Sequence, residues 1–502
     1  MSNRERFFKS GAMLAAVGLS MRTVSMLFTA FVSRSVGAEG TGLYTVIMTV
    51  YSVAVTFATS GLSLTVTRLV AEAVGEGNGK RVGGVIRGAL IYSAAFGALA
   101  ALLLFFGAGF IGGSILDDGR PVESLRLLSL SLLPVALGSV FSGYFVGVRR
   151  VSFNAAAQVL TQLSKVAVTV LLVISSSGQG TVASVLALCT GIVITETVGF
   201  LISLLQFAID RARHGEGADA PRLSEVAGMA IPLALSAYVR SALLTLEHIL
   251  IPARLKESGE SSADAYAQYG ILHGMSLPLI LYPMSPLSSF AGLLVPELAA
   301  AEGGNTRMRR IASEALNATL TYSAVTAVFL LLFSEELGYA VYDSYEAGYY
   351  ISILALIVPI MYLDHVTDSM LKGVGEQVFS MWVNITDSIL SVLLVWFLIP
   401  RLGIMGYALV IVIMEGYNFT LSYIRLKSRI SFSLDMLSSF CLPLALALLS
   451  AALTKLLFLF TGRGASPLLL IVKMIFALCA FVAMSVPARA LTERRRKRIY
   501  NI

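Results

Sequence analysis

Apolar runs of about twenty residues or more recur along almost the whole chain. Each is long enough to cross the roughly 30 Å hydrocarbon core of a bilayer as a helix rising about 1.5 Å per residue. They fall near residues 9–33, 42–66, 83–112, 125–147, 153–175, 181–207 and 223–250, and then near 268–298, 311–334, 347–371, 378–399, 403–424, 433–459 and 465–487. The runs are too long and too evenly apolar for the alternating strands of about ten residues that build membrane β-barrels. Composition agrees: 56% of residues are hydrophobic and 13% charged, with a mean hydropathy of +0.80, well outside the range of soluble domains. The expected fold class is an all-α integral membrane protein of about fourteen transmembrane helices.

The N-terminal MSNRERFFKS is basic, but the run after it is full length and has no small-residue cleavage site before Arg22, so it is expected to be the first helix and not a removed signal. Cys189, Cys441 and Cys479 are isolated within predicted helices, a spacing that supports neither a disulfide framework nor a metal site. Lysine and arginine concentrate in alternate connections and in both terminal segments, including the tail TERRRKR. By the positive-inside rule both termini are then expected on the cytoplasmic side. The net charge of +7 is spread along these segments beside anionic lipid, which accounts for it without a nucleic-acid partner.

The chain also repeats itself. The segment LVAEAVGEGNGKRVGGVIRGALIYSA at 69–94 is similar to LVPELAAAEGGNTRMRRIASEALNATLTYSA at 294–324, and GVRRVSF at 147–153 lies 226 residues before GVGEQVF at 373–379. Pro134 precedes Pro359 by 225 residues and Gly180 precedes Gly406 by 226. A register this constant implies two parallel six-helix lobes related by an axis along the membrane normal. The expected layout is an N-lobe over 1–210, a cytoplasmic connection at 211–222, a C-lobe over 223–430, and two further helices with a basic tail over 431–502. No connection is long enough for a soluble catalytic domain, and no Walker loop, HExxH, CxxC or GxSxG occurs. A non-enzymatic membrane protein without its own ATPase domain, cofactor or metal is expected.

Ionisable residues inside the predicted spans cost on the order of 3 kcal/mol each and need a reason. Arg22 shares a face of the first helix with Gly18, Ser25 and Thr29, which suits an anion contact in a cavity or a buried pair with a carboxylate. Arg240 and Glu247 share a face of the seventh helix about 10 Å apart along the axis, too far to pair directly, so a water-filled or ligand-filled groove is expected there. Arg68 ends the second helix and serves as an interfacial anchor or a phosphate contact. Arg34 ends the first helix much as Arg254 ends the seventh, at the end where snorkelling is the ordinary explanation. Lys165 and Glu196 are expected to neutralise one another. Asp364, Asp368, Asn384, Asp387 and Glu415 form an oxygen-rich set suited to binding sodium or relaying protons, or to pairing structurally. Lys473 is mid-span, and Lys455 is an ordinary snorkeller.

The stretches FFKSGAMLAAVGLSMRTVSMLFTAFVSRSVGAEGTGLY, SGLSLTVTRLVAEA and AIPLALSAYVRSALLTLEHILIPARL resemble the SpoVB-type branch of the polysaccharide exporter and MurJ lipid II flippase families. Both belong to the multidrug/oligosaccharidyl-lipid/polysaccharide exporter superfamily. The resemblance implies two lobes around a cavity that opens alternately to each side, and a lipid-linked glycan such as undecaprenyl-pyrophosphate-linked peptidoglycan precursor as cargo. By position it implies, in a bacterial cytoplasmic membrane, pyrophosphate contacts at Arg22, Arg34, Arg68 and Arg240; the comparison of the two lobes sets Arg254 opposite Arg34 at the exit. Relatives that hold sodium with acidic and amide groups imply cation coupling by Na+ or H+ at Glu247, Asn384 and Asp387. Partners would be the lipid-linked glycan and membrane lipids, and the chain is expected to act as a monomer. The alternatives are a cation-coupled multidrug exporter of the same fold and a non-transporting scaffold of envelope synthesis.

Overall fold

A backbone in hydrocarbon has no water to bond, so it must satisfy its N–H and C=O groups within itself, and an open-ended chain does this only as helix. The computed structural model describes residues 3–59, 61–176, 178–214, 219–301, 305–458 and 467–500, with no strand among them. Side chains at 3–19, 151, 212–214, 236, 305 and 488–500 are outside the description. Part of the expected 211–222 connection and the side chains of the basic tail therefore lie outside the described residues.

The helices are α1 (Asn3–Thr59), α2 (Leu62–Gly75), α3 (Gly79–Phe110), α4 (Pro121–Ser129), α5 (Leu132–Gly147), α6 (Val151–Ser175), α7 (Thr181–His214), α8 (Leu223–Glu257) and α9 (Ser262–Tyr269). They continue as α10 (Leu277–Leu281), α11 (Met284–Ala300), α12 (Asn305–Leu332), α13 (Ser334–Tyr342), α14 (Tyr345–Ala355), α15 (Val358–Gly373), α16 (Gln377–Leu402), α17 (Ile404–Arg429), α18 (Leu442–Leu457) and α19 (Pro467–Tyr500). Among the described residues, ten helices are long and apolar enough to cross a membrane, or thirteen if each of three bent pairs counts as one span. One of the ten, Ser20–Gly75, is 56 residues long, roughly twice what a bilayer requires.

That span is two helical stretches, parted where the backbone leaves helical geometry at Gly37 (φ 74°, ψ −177°), between the expected runs at 9–33 and 42–66. A side chain is strained at this φ, so the kink belongs to glycine. A second break falls at Gly61, again at φ 74°.

The chain forms two compact units, one of Ser35–Gly270 and one of Met1–Arg34 with Ile271–Ile502. These units cut across the expected 1–210 and 223–430 lobes. The first helix of each sequence repeat, the N-terminal part of α1 and all of α8, belongs to the unit that holds the other repeat. In the first unit α8 is tied to α3 at its start, where Arg222 N–H donates to Gly84 O at 3.1 Å and Arg81 bridges to Glu225 at 2.7 Å. Farther along α8, the Tyr238 hydroxyl donates to Phe57 O at 3.1 Å.

The internal repeat is visible in each unit's packing. A Cβ on Gly147, at the end of α5, would sit 2.9 Å from Thr67 O and from Val70 Cβ on α2. A Cβ on Gly373, at the end of α15, would sit 3.0 Å from Val295 O and 3.1 Å from Leu298 Cβ on α11. The same small-residue contact thus recurs close to the 226-residue offset. The α4–α5 pair bends by 44° and the α14–α15 pair by 61°, each bend just before the matched Pro134 and Pro359. In lipid, helices gain little from hydrophobic burial against one another, so close van der Waals approach at small residues carries the packing.

The tightest such approach is in the first unit, where a Cβ on Gly42 of α1 would stand 1.8 Å from Tyr266 O and 3.1 Å from Gly270 N. Gly42→Ala is therefore expected to force these backbones apart at a cost of about 1–3 kcal/mol or more, lowering the melting temperature in detergent by several degrees. Gly75→Ala, which meets nothing within 4 Å, is the control. Equal melting of both variants would refute the crossing as a packing constraint.

Candidate functional site

Arg22 and Arg240 are the two arginines lying deep within spanning helices whose guanidiniums remain uncommitted. Both side chains are exposed, and neither makes a hydrogen bond or ion pair among the described residues. Arg22 belongs to the second unit, where it is an electrostatic neighbour of His365 on α15. The adjacent Thr23 hydroxyl lies 2.8 Å from that of Tyr282. Farther along the same helix the Thr29 hydroxyl donates to Ser25 O at 3.0 Å, and both residues are half-buried. Arg240 is on α8 in the first unit.

The other arginines of the expected set have structural partners. Arg34 Nε donates to Val341 O at 2.8 Å and Nη2 to Tyr339 O at 3.4 Å, with a further bond to Ala340 O. Its cation thus covers the carbonyls ending α13, where the helix dipole is negative. Arg68 pairs with Glu72 one turn on at 2.9 Å, both well exposed, an i,i+4 contact of small energetic worth. Arg254 pairs with Glu257. Glu247, 8% exposed, is buried in the first unit as an electrostatic neighbour of Tyr269, whose hydroxyl lies 3.2 Å from His248 Nδ1.

Asn384 and Asp387 belong to the second unit, so the expected cation set is divided between the two units. Asn384 Nδ2 donates to Ser380 O at 2.7 Å. Asp368 is taken up by Lys372 at 2.6 Å and by the Ser380 hydroxyl. The remaining carboxylates come together, with Asp364 on α15, Asp387 on α16 and Glu415 on α17 as mutual electrostatic neighbours. The Oδ1 atoms of Asp364 and of Asn418 are buried without a hydrogen-bond partner. No group of three metal-ligating side chains occurs among the described residues.

Two features went unread in the sequence. One is a polar stripe on α6, Asn154, Gln158, Thr161, Gln162 and Lys165, which lines a cavity of about 580 Å³ together with Glu196; its helical spacing was there to be seen. Lys165 and Glu196 interact electrostatically but make no ion pair within 4.0 Å, so the expected mutual neutralisation is not a closed contact. The other is a network in the connections of the first unit. Arg120 holds Asp118 at 2.7 Å and also pairs with Glu39, and it stands 5.3 Å over the ring of the fully buried Tyr266. Lys256 Nζ donates to Leu116 O at 2.9 Å. No local spacing announces this network, because its members come from four separate segments.

Duplicated sets of bent helices, with cations and carboxylates held inside their spans, define a multi-pass membrane protein with the fold of the multidrug/oligosaccharidyl-lipid/polysaccharide exporter superfamily. A structure described as lipid II flippase MurJ in an inward closed conformation superposes with a TM-score of 0.68 at 12% identity, over 97% of this chain and 99% of that one. An inward-facing multidrug resistance MATE family transporter gives 0.67 at 17% identity, over 83% and 98%. The model of the polysaccharide biosynthesis protein family matches residues 7–300 and that of MatE matches 262–397. The chain belongs to the polysaccharide biosynthesis protein family. Stage V sporulation protein B of Bacillus subtilis (strain 168) is 24% identical over 430 residues, 82% of this chain and 81% of that protein. Sporulation protein YkvU of the same organism is 22% identical over 360 residues, 70% and 78%.

The Asp118 network carries a pH signature. Burial alone would raise the Asp118 pKa, but hydrogen bonds from the Arg120 side chain and backbone and from Ser262 outweigh it and hold the carboxyl below its ordinary 3.8. A depressed folded-state pKa contributes stability that is complete above the unfolded value and is lost as pH falls through the folded one. Wild-type melting temperature should therefore drop as pH falls below 3.8, and Asp118→Asn should flatten that part of the profile. Parallel profiles in a pH series of thermal melts would rule out this contribution.

Proposed function

We propose that the protein is a non-enzymatic flippase that moves a lipid-linked oligosaccharide, undecaprenyl-pyrophosphate-linked peptidoglycan precursor (lipid II), across the cytoplasmic membrane by alternating access, in wall or spore-cortex synthesis. The observation that carries this reading is that Arg22 in the second unit and Arg240 in the first are each an intramembrane guanidinium with no ion pair among the described residues. Such groups persist in a bilayer where they meet water or an anion, and a guanidinium can grip a pyrophosphate through two parallel hydrogen bonds. They would repel the organic cations that a multidrug exporter carries. The sporulation proteins to which the chain is similar, and the polysaccharide biosynthesis family to which it belongs, fit the same reading.

A long isoprenoid tail needs its own path. In the second unit a largely apolar cavity of about 720 Å³ lies between α12 and α19, with Ser438 and Ser439 at its edge, and is lined by Tyr322, Phe329, Met474, Leu478 and Phe481. This groove suits the tail of the cargo beside the C-terminal helix pair. Cation coupling has its best support in the same unit, where the carboxylates of Asp364, Asp387 and Glu415 gather as mutual electrostatic neighbours. We place proton or sodium exchange at this group, with Asn384 beside it on α16; Glu247 of the first unit is a second position for it.

Reconstituted in proteoliposomes, the wild type should flip lipid II. Arg22→Ala and Arg240→Ala should each lose about 1.5–3 kcal/mol of charge-assisted bonding, a fall of roughly ten- to a hundredfold. Arg22→Lys should be intermediate, as it keeps the charge without the bidentate fork. Wild-type flipping by the double alanine variant would eliminate the role proposed for both arginines. Extrusion of cationic dyes without any flipping of lipid II would favour the multidrug alternative. Glu415→Gln should abolish acceleration of flipping by an imposed sodium or proton gradient, and an unchanged response to the gradient would remove the coupling assignment.

A further inference from the structure

The α6 cavity is a second site whose chemistry differs from that of the arginines. Asn154, Gln158, Thr161, Gln162 and Lys165 line it from one face of α6, successive turns of one stripe. Outward-facing positions of the same helix are apolar and exposed, with Leu160 at 48% and Leu171 at 69%, as befits a surface against lipid. A stripe of amides in a spanning helix is costly unless its hydrogen bonds are made, yet the side chains of Asn154, Gln158, Lys165 and Glu196 make none among the described residues. The cavity has one lysine and one glutamate among its lining residues and is formally neutral. It also holds an aromatic face, Phe200, which is braced by Phe141 at a centroid distance of 6.2 Å.

Amide donors and acceptors, a lysine, a carboxylate and one ring face, with no net charge, are what a sugar presents its complement to: hydroxyl groups around an edge and a C–H face above a ring. A pyrophosphate would be poorly served, since Glu196 opposes Lys165. The volume of about 580 Å³ lies within the ordinary range for small-molecule sites, about 300–1,000 Å³. We infer that this cavity binds a neutral pyranose unit of the cargo, with its hydroxyls on the α6 stripe and Glu196 and its ring face on Phe200. The inference rests on the reading of the chain as a carrier of a lipid-linked glycan and assigns the glycan its own subsite, separate from the arginines.

The test uses the full chain in lipid nanodiscs and N,N′-diacetylchitobiose, a soluble neutral disaccharide without lipid or phosphate. Saturation-transfer NMR should show magnetisation reaching the sugar ring protons, and Gln158→Leu and Lys165→Met should each weaken binding about tenfold, roughly one such hydrogen bond. Asn154→Ala, a smaller change, serves where either variant fails to keep the wild-type melting temperature. No transfer in wild type would overturn the inference, as would transfer unaffected by the variants or abolished by a tetraphenylphosphonium competitor at equal concentration. Sugar binding by a wild type that does not flip lipid II would support the subsite and count only against lipid II as the cargo.

Discussion

A polar side chain in a bilayer must reach a partner, reach water, or give up its charge, and the architecture sorts its ionisable residues by which of these they achieve. Arg34 reaches three carbonyls at the end of α13, Asp368 reaches Lys372, and Arg68 and Arg254 reach glutamates one turn away. In each case the charge serves a helix end or a neighbouring turn. Arg22, Arg240, Lys165 and Glu196 are left with bonding capacity that the described protein does not use. Functional reasoning belongs with this residue class, and it is smaller than the full set of intramembrane charges.

The exchange of first helices between repeats gives those residues their setting. Arg22 is carried on α1 into the unit of the second repeat, and Arg240 on α8 into the unit of the first. Each repeat therefore places its intramembrane arginine in the company of the other repeat's helices. Passage from one unit to the next occurs between Arg34 and Ser35 and between Gly270 and Ile271, close to the Gly37 kink and inside the π-helical turn Gly270–Ser276. Irregular backbone of this kind is tolerated in a membrane only where side chains or neighbouring helices re-satisfy it.

Much of this fold is legible in the chain because spanning helices announce themselves by length and apolarity alone. The 226-residue repeat is also legible, since it is fixed by local features: Pro134 and Pro359 beside the bends, Gly147 and Gly373 at the close contacts. What escapes is anything decided by distant partners. A single arginine before GAEGTG reads equally well as an anchor or a ligand contact, and only the arrival of α13, three hundred residues on, makes Arg34 a helix cap. The role of one glycine escapes for a related reason. Small residues mark the break between the first two runs, and the backbone does leave helix there at Gly37, but Gly42 is glycine because Tyr266 and Gly270 press against it. Unit membership escapes too, because hydropathy along α1 and α8 is silent about which neighbours they choose.

The candidate site divides in the same way. Arg22 and Arg240 were readable because an arginine in an apolar run is anomalous wherever it falls. The α6 stripe was equally written in the spacing of Asn154, Gln158, Thr161, Gln162 and Lys165, but uncharged amides raise a weaker alarm than a guanidinium, and Lys165 with Glu196 looked like a pair that cancels. Because their charged groups share a cavity without closing on one another, the two remain one donor and one acceptor available to a third party. A cargo with an anionic linkage and a neutral glycan presents two chemistries, and the protein offers two matching ones: guanidiniums for the charge, and an amide-lined, formally neutral cavity for the hydroxyls. A carrier built only from arginines would hold a bare polyprenyl pyrophosphate as readily as its glycosylated form, so discrimination between them has to come from a surface of the second kind.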